Sequence, residues 1–393
     1  MSEIRSIIDL GNGYVKWTVI ATEDERTEVI AKEIVKTKWM RKWKILEVDE
    51  VVHSINLVLD SFVKKFWWDF LEDVYVWISH PEMLVKRVRE QKRVLDRKIE
   101  QDDLNHVSKI LDETSFEANY ETVKIIPVHW IVDDTIKVKD PLGMEWKRLE
   151  LVADVFMLPK TFWNSLSEVF EKLEIWIADV IPNILGAAEV CLDLDDKDLG
   201  TLLIDIWNNQ TTFVVYEEWF PLIHGVIPVW WEEITKDISI WMQVDIKEAE
   251  KLKREKWIII IDGEKTNDET LDIGFLSEII AARYEQIFNK INEVLIEIGK
   301  DGKLPWWAIF VWWWSKMKNI DKLAKETFKF AAFLGKDKVL KLWDFSSNPQ
   351  FISSIWIYTW SKKYSGKASS SWSLPSLKFD WMKKIVDFIK NLF

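Results

Sequence analysis

The chain has 393 residues, a formal net charge of −12, and 48% hydrophobic and 30% charged residues, which suits two large lobes or several subdomains with real cores. The acidic balance argues against nucleic acid as the main partner, because phosphate binding needs clustered Lys and Arg. A single cysteine, Cys191, excludes an internal disulfide and fits a reducing compartment; with no secretion signal at Met1–Leu10 and no apolar run near the ~18 residues of a membrane span, the expectation is a cytoplasmic protein whose membrane contact is peripheral.

In chain order, residues 4–20 predict strand, Gly turn, strand. Residues 47–66 place Val51, Val52, Ile55, Leu57, Val58 and Phe62 at helical spacing, and Val74–Ser79 reads as a short buried strand. A more charged unit follows over 81–155, with a helix over about 101–114 and strands near 122–132 and 148–157. Phe162–Leu173 is a predicted helix, Ile175–Ile181 a strand and Ile184–Leu192 a helix. Thr201–Ile206 and Thr212–Tyr216 then repeat the N-terminal strand–turn–strand layout, an internal duplication signal. Helices are expected over 232–254 and 275–299, a buried strand at Ala308–Val311 and a helix over about 317–327. Residues 361–376 are rich in Ser and Lys and read as a flexible linker.

One ratio is abnormal: 26 Trp against 12 Gly, where glycine is normally ~7% of a chain. Trp67-Trp68, Trp230-Trp231, Trp306-Trp307 and Trp312-Trp313-Trp314 fall at strand ends and turns, where glycine is wanted for positive φ and close backbone approach. The expectation is that many of these positions are glycine in the native protein, written as Trp through a UGA codon that some bacterial lineages read as glycine. A genuine core with so many indoles would be overpacked.

Three turns carry the chemistry. In Asp9-Leu10-Gly11-Asn12-Gly13-Tyr14-Val15-Lys16, a Gly turn between strands presents backbone N–H groups to a phosphate, and the strand-end Asp9 faces a metal ion or its waters. Asp205-Ile206-Trp207-Asn208-Asn209-Gln210-Thr211-Thr212 repeats that logic about 200 residues later, with Asp205 as the second metal-facing carboxylate. Two such loops, one per lobe, can clamp the phosphates of a nucleotide. Val311-Trp312-Trp313-Trp314-Ser315-Lys316-Met317, read with glycines at the Trp triple, is a strand running into a Gly-rich turn that admits adenine and ribose. The five histidines have no metal-ligand spacing.

That order of loops, together with four further segments, resembles the FtsA family of actin-like ATPases over nearly the whole chain. Thr37-Lys38-Trp39-Met40-Arg41-Lys42-Trp43 resembles its Gly-Met-x-x-Gly, and Ile126-Pro127-Val128-His129-Trp130-Ile131-Val132-Asp133 its Ile-Pro-x-x-Tyr-x-Val-Asp. Pro141-Leu142-Gly143-Met144-Glu145-Trp146-Lys147-Arg148-Leu149 resembles Pro-x-Gly-Met-x-Gly-x-Arg-Leu, and Ile227-Pro228-Val229-Trp230-Trp231-Glu232-Glu233-Ile234-Thr235-Lys236-Asp237-Ile238 resembles Ile-Pro-x-Gly-Gly-x-x-Ile-Thr-x-Asp-Ile. Most mismatches are Trp for Gly. The resemblance implies an α/β, two-lobed actin-like fold (the actin/Hsp70/sugar-kinase class) with a duplicated core, an inserted small α+β subdomain and a C-terminal amphipathic helix. Implied domains are a first lobe (1–80 and 156–185), the insert (81–155), a second lobe (186–232 and 298–360), an FtsZ-binding subdomain (233–297), the linker (361–376) and the helix (377–393).

The implied cofactors are ATP and Mg2+. The implied ligand residues are Asp9, Gly11, Asn12, Gly13, Tyr14 and Lys16; Asp205, Trp207, Asn208, Asn209, Gln210 and Thr211; Trp230, Trp231 and Glu232; and Trp312, Trp313, Trp314, Ser315 and Met317. Implied partners are the FtsZ C-terminal tail, further copies of the chain, later division proteins and the membrane. The second loop departs from a Gly-Gly-Gly-Thr-x-Asp pattern: Thr212 lacks the carboxylate that helps place metal or water, so ATP binding with weak or no hydrolysis is expected. Alternative readings on the same fold are a type IV pilus assembly scaffold and a small-molecule kinase; for the latter no catalytic carboxylate is evident.

In the last 17 residues Leu377, Trp381, Met382, Ile385, Phe388, Ile389 and Leu392 share one helical face, with the terminal Phe393 beside it. Lys378, Lys383, Lys384 and Lys390 lie largely off that face, which suits an anionic membrane surface. The glycine reading is checked by the intact mass of protein from its native host: a value a few kilodaltons below the 46.7 kDa of the written sequence is expected, and 46.7 kDa itself refutes it.

Overall fold

The computed structural model describes residues 3–11, 14–23, 26–36, 40–41, 44–63, 73–78, 80–207, 210–229, 231–256, 258–260, 273–311, 317–335 and 351–364. The described residues divide into two compact units, one drawn from 1–77, 88–181 and 361–364, the other from 78–87 and 182–360.

The first unit opens with three antiparallel strands, β1 (Glu3–Leu10), β2 (Tyr14–Glu23) and β3 (Arg26–Lys36), then the short β4 (Met40–Arg41) and β5 (Lys44–Ile45), helix α1 (Val48–Val63) and β6 (Asp73–Ile78). Ile7, Ile8, Val15, Trp17, Val19 and Ile20 are fully buried, so β1 and β2 read as near-continuous apolar runs covered on both faces. The Trp17 indole donates to Ser6 Oγ and meets Phe62 of α1 edge-on, a satisfied aromatic core site. β6 pairs with β1 in parallel.

The chain then forms a second sheet from β7 (Leu84–Lys98), α2 (Gln101–Glu113), β8 (Tyr120–Val132), β9 (Ile136–Val138) and β10 (Glu145–Pro159), in the order β7-β10-β8-β9. Val107 and Leu111 of α2 pack on Ile125, Trp130, Leu149, Leu151 and Val155 from one face of that sheet. Glu100 and Asp103 form a capping box at the start of α2. Asp103 also receives Lys92 at 2.9 Å and Arg97 at 2.7 Å. β7 is absent from the sequence reading because its run of Lys and Arg conceals any apolar alternation. Helix α3 (Lys160–Lys172) and β11 (Trp176–Pro182) complete a sheet of order β11-β6-β1-β2-β3.

The second unit repeats this plan. Helices α4 (Asn183–Cys191) and α5 (Leu194–Leu199) lead into β12 (Thr201–Ile206), β13 (Thr211–Glu217) and β14 (Phe220–Ile227). Helices α6 (Trp231–Trp241), α7 (Ile246–Glu255) and α8 (Ile273–Glu297) follow, then β15 (Trp307–Val311), α9 (Ile320–Phe328), β16 (Ala331–Leu334) and α10 (Ile352–Tyr364). The sheet order is β14-β13-β12-β15-β16, with β15 parallel to β12 just as β6 is parallel to β1. Phe288 of α8 touches Phe310 and Phe328, tying helix and sheet into one core.

Three expectations change at their edges. The helix expected over 232–254 is two helices, because Gln243 adopts φ +55° and Asp245 caps α7 with bonds to the amides of Lys247 and Glu248. The helix expected from 317 starts at Ile320, after Asn319 at φ +69°. α10 runs through Tyr364, four residues into the expected linker; Ile355, Trp356, Ile357, Tyr358 and Trp360 are buried, and this packing holds the helix where Ser and Lys composition alone suggested a loose chain. Residues 365–393, with the whole amphipathic segment, lie outside the described residues. Arg87, just inside β7, donates to the carbonyls of Pro221 and Leu222 on the outer strand β14, at 2.7 and 2.6 Å.

Burial raises the Asp103 carboxyl, but the Glu100 amide, Lys92 and Arg97 outweigh it and hold the group at about 2. A depressed carboxylate stabilises the fold above its unfolded value and loses that contribution as pH falls. Asp103→Asn should therefore cost about 2 kcal/mol at pH 7, with the difference from wild type vanishing by about pH 2, as read by urea unfolding at each pH.

Candidate functional site

The carboxyl ends of parallel strands are where α/β sheets place ligands, because loops leaving them leave backbone groups unpaired. In both units that end carries an aspartate. Asp9 is the penultimate residue of β1, opposite Lys16 on β2 and beside Trp77 on β6. Asp205 is the penultimate residue of β12, opposite Thr212 on β13 and beside Val311 on β15. Both side chains are fully buried.

The turns match as well. The Gly11 amide donates to the Tyr14 carbonyl at 3.0 Å, and the Trp207 amide donates to the Gln210 carbonyl at 2.8 Å. A Cβ at Gly11 would stand 3.2 Å from the Tyr14 oxygen, tighter than ordinary contact. Trp207 thus occupies the place that glycine fills in the first copy. Its indole lies edge-on to Trp356 and donates to Asp205 Oδ2.

The two aspartates have unlike surroundings. Lys16 Nζ lies 2.8 Å from Asp9 Oδ2, a buried ion pair. Asp205 Oδ2 takes its bonds from neutral donors, Trp207 and, at 2.5 Å, Asn183 Nδ2. Burial pushes Asp205 up to about 7, against the pull of those bonds. Asp205 Oδ1, Asn183 Oδ1 and both amide atoms of Gln210 are buried with no hydrogen-bond partner among the described residues. Buried polar atoms are rarely left so, and a group of them marks a place built for something more. Oxygen donors of this kind suit Mg2+.

Other predicted ligands fall as follows. Tyr14 is exposed. The Thr211 hydroxyl donates to the Val229 carbonyl, joining the second turn to the segment that enters α6. Trp231 opens α6, and the exposed Glu232 pairs with Lys236 rather than joining the buried cluster. Met317 is buried and its carbonyl caps the start of α9. Asn12, Gly13, Asn208, Asn209, Trp230, Trp312, Trp313, Trp314, Ser315 and the terminal residues Leu377, Trp381, Met382, Ile385, Phe388, Ile389, Leu392 and Phe393 lie outside the described residues.

Sequence reasoning missed two features of the second unit. Asn183 stands far from Asp205 in the chain, and only the Pro182-Asn183 helix start hinted at a special position. The other is a buried cation: Lys253 of α7, fully buried, lies 2.6 Å from Glu250 and is bonded to Thr235 of α6. Burial lowers Lys253 to about 8 despite Glu250.

A family model described as the SHS2 domain inserted in FTSA matches residues 83–157, and the cell division protein FtsA model matches 202–355, together more than half of the chain. The chain belongs to the FtsA family. Cell division protein FtsA of Bacillus subtilis (strain 168) is 27% identical over 317 residues, covering 76% of this chain and 71% of that protein. The Enterococcus faecalis FtsA is 28% identical over 338 residues, covering 82% and 76%. Among solved structures, a PilM–PilN type IV pilus biogenesis complex chain superposes with a TM-score of 0.61 at 12% identity, covering 90% of this chain and 97% of its own. MreB 5 of Spiroplasma citri bound to AMPPNP gives 0.50 at 11% identity, covering 99% of both. These likenesses make the fold actin-like, so the FtsA-family assignment and the duplicated sheets agree.

The raised Asp205 carboxyl gives a pH signature. Between about pH 4 and 7 the unfolded chain releases this proton while the folded, nucleotide-free chain keeps it, so stability falls as pH rises, by up to about 4 kcal/mol. Asp205→Asn should flatten that part of the urea-unfolding profile.

Proposed function

We propose that this FtsA-family chain binds ATP with Mg2+, tethers FtsZ filaments to the cytoplasmic face of the membrane at the division site, and helps assemble the septal ring. The observation that carries nucleotide binding is the set of buried, unpartnered acceptors around Asp205 at the carboxyl end of β12. The Asp205 oxygens fit a hard cation, and in each unit the amides of the Asp turn suit a phosphate. When bound, Mg2+ supplies charge neutralisation to the phosphates. The protein's own part is to bind and orient: Lys16 brings positive charge beside Asp9, and the turn around Gln210 offers polar groups next to Asp205. The residues after Val311 would take the adenosine. Thr212 opposite Asp205 is a poor activator of water, so nucleotide acts as a conformational ligand that favours polymer, with little hydrolysis.

For the FtsZ tail, the helix-rich segment offers a surface pocket of about 440 Å³ on α6 and α8, lined by Asp237, Trp241, Phe275, Ile279, Ala282 and Arg283. Ile240 and Trp241 at the end of α6 are largely exposed, and Arg283 is paired with Asp237. Glu278 and Gln286 complete the lining, and an apolar pocket with a polar rim suits the apolar side chains of a short peptide. The amphipathic segment 377–393 would hold the protein to anionic lipid, and no helix among the described residues is long and apolar enough to cross a membrane.

The glycine reading gains support at the β13–β14 connection. Glu218 and Trp219 adopt φ +50° and +72° in a two-residue hairpin, the geometry for which glycine is favoured at the second position. Trp17, by contrast, lies in a strand interior with its indole N–H donated to Ser6 Oγ, which does not call for glycine.

Co-sedimentation tests the whole reading. With ATP, Mg2+ and anionic vesicles the full chain should pellet and recruit an FtsZ tail peptide. Removal of 377–393 should leave it in the supernatant, and Trp241→Ala should lose the peptide but keep the vesicles. A truncated chain that still pellets with vesicles overturns the anchor.

A further inference from the structure

Helix α9 begins in an unusual way. Its N-cap is Asn319, a residue type that ordinarily turns its side chain back to accept from the first amides of its own helix. Here the backbone is left-handed, at φ +69°, and the side chain makes no such cap bond. Its Nδ2 instead donates to the carbonyl of Ile259 at 2.6 Å. Asn319 is 7% exposed and Ile259 is buried, so this bond lies beneath the surface.

The short segment 258–260, between α7 and α8, is gripped from two sides. On one, the Ile259 amide donates to the Lys318 carbonyl at 3.1 Å beside a parallel bridge between Ile258 and Lys318, and the Asn319 bond doubles that attachment. On the other, the Ile260 amide donates at 2.7 Å to Oγ of Ser277, a buried residue of α8. Residues two apart on a helix stand about 200° apart around its axis. Phe275 and Ile279 flank Ser277 at that interval, and both line the pocket on α6 and α8. Ser277 therefore faces the strap while the opposite side of the same helix forms the pocket wall. At the strap's other end, Lys318 and Asn319 follow directly on Met317, the last residue of the segment proposed to take the adenosine.

We propose that Asn319 is a positioning residue for the peptide pocket: by tying 258–260 to the exit of the adenosine segment it sets the rotation of α8, so that nucleotide and peptide each favour binding of the other. The inference rests on the nucleotide and tail-peptide readings above. A ligand that fixes the adenosine segment fixes the strap and, through Ser277, the first two turns of α8, so the peptide meets a wall already held. Linkage makes the effect reciprocal. An asparagine kept only for α9 would be bonded to the amides of α9.

The test uses the full chain without lipid and a fluorescent FtsZ tail peptide, whose affinity is measured with Mg2+–ATP and without nucleotide. Asn319→Gly removes the side chain and tolerates the left-handed backbone, and Ser277→Ala removes the acceptor of the Ile260 amide. Wild type should bind the peptide about fivefold tighter with nucleotide, the lower end of ordinary coupling. Each variant should still bind ATP by calorimetry but bring that ratio to about one, and the double variant should add nothing, since both side chains act on one connection. A wild type that binds both ligands with a ratio of one overturns the proposal, as do variants that weaken the peptide equally in both conditions and keep the ratio. A second arm needs no ligand: in amide hydrogen exchange, Asn319→Gly should speed exchange over 273–280 as well as at 258–260. Faster exchange that leaves α8 unchanged refutes the positioning role. If wild type binds no ATP or no peptide, the corresponding reading falls, and this arm alone decides the role of Asn319.

Discussion

A carboxylate buried at the end of an apolar strand is the constraint around which each half of this protein is organised. The strands β1 and β12 are covered on both faces, so their last turn cannot hydrate an ionised side chain. The charge must be met by a neighbour, given up by protonation, or shared with a ligand. The first unit uses a lysine across the hairpin, and the second uses neutral donors. The same topology therefore yields two electrostatically different turns, and this asymmetry is a stronger functional sign than the duplication itself.

The surrounding architecture follows from keeping those strand ends in place. In the second unit β15 runs beside β12 and ends level with Asp205, while the Thr211 hydroxyl anchors the entry to α6. The inserted sheet is separately stabilised: α2 covers it, and the Asp103 cap gathers an amide, a lysine and an arginine.

Much of this was legible in the residue order. The two Asp turns, the repeated hairpin, α1 through α4 and the insert's long strands were visible because hydrophobic period and turn residues act over short distances. The features that were not legible depend on distant partners. β7 carries too many charges to alternate, and α10 is held by burial of aromatic residues inside a stretch whose end looks polar. Asn183 could be recognised only once α4 was known to start beside β12. The scarcity of glycine added its own difficulty, since a positive-φ turn position such as Trp219 carries no glycine to mark it.

The grip of Arg87 on β14 has a consequence for how the molecule behaves in company. An outermost strand offers a row of carbonyls and amides on which any stray extended chain can template. A guanidinium seated on two successive carbonyls of that row, next to a proline that has no amide to give, blunts such growth. A crowded population of these molecules can then meet through chosen faces, without zipping together along a sheet margin.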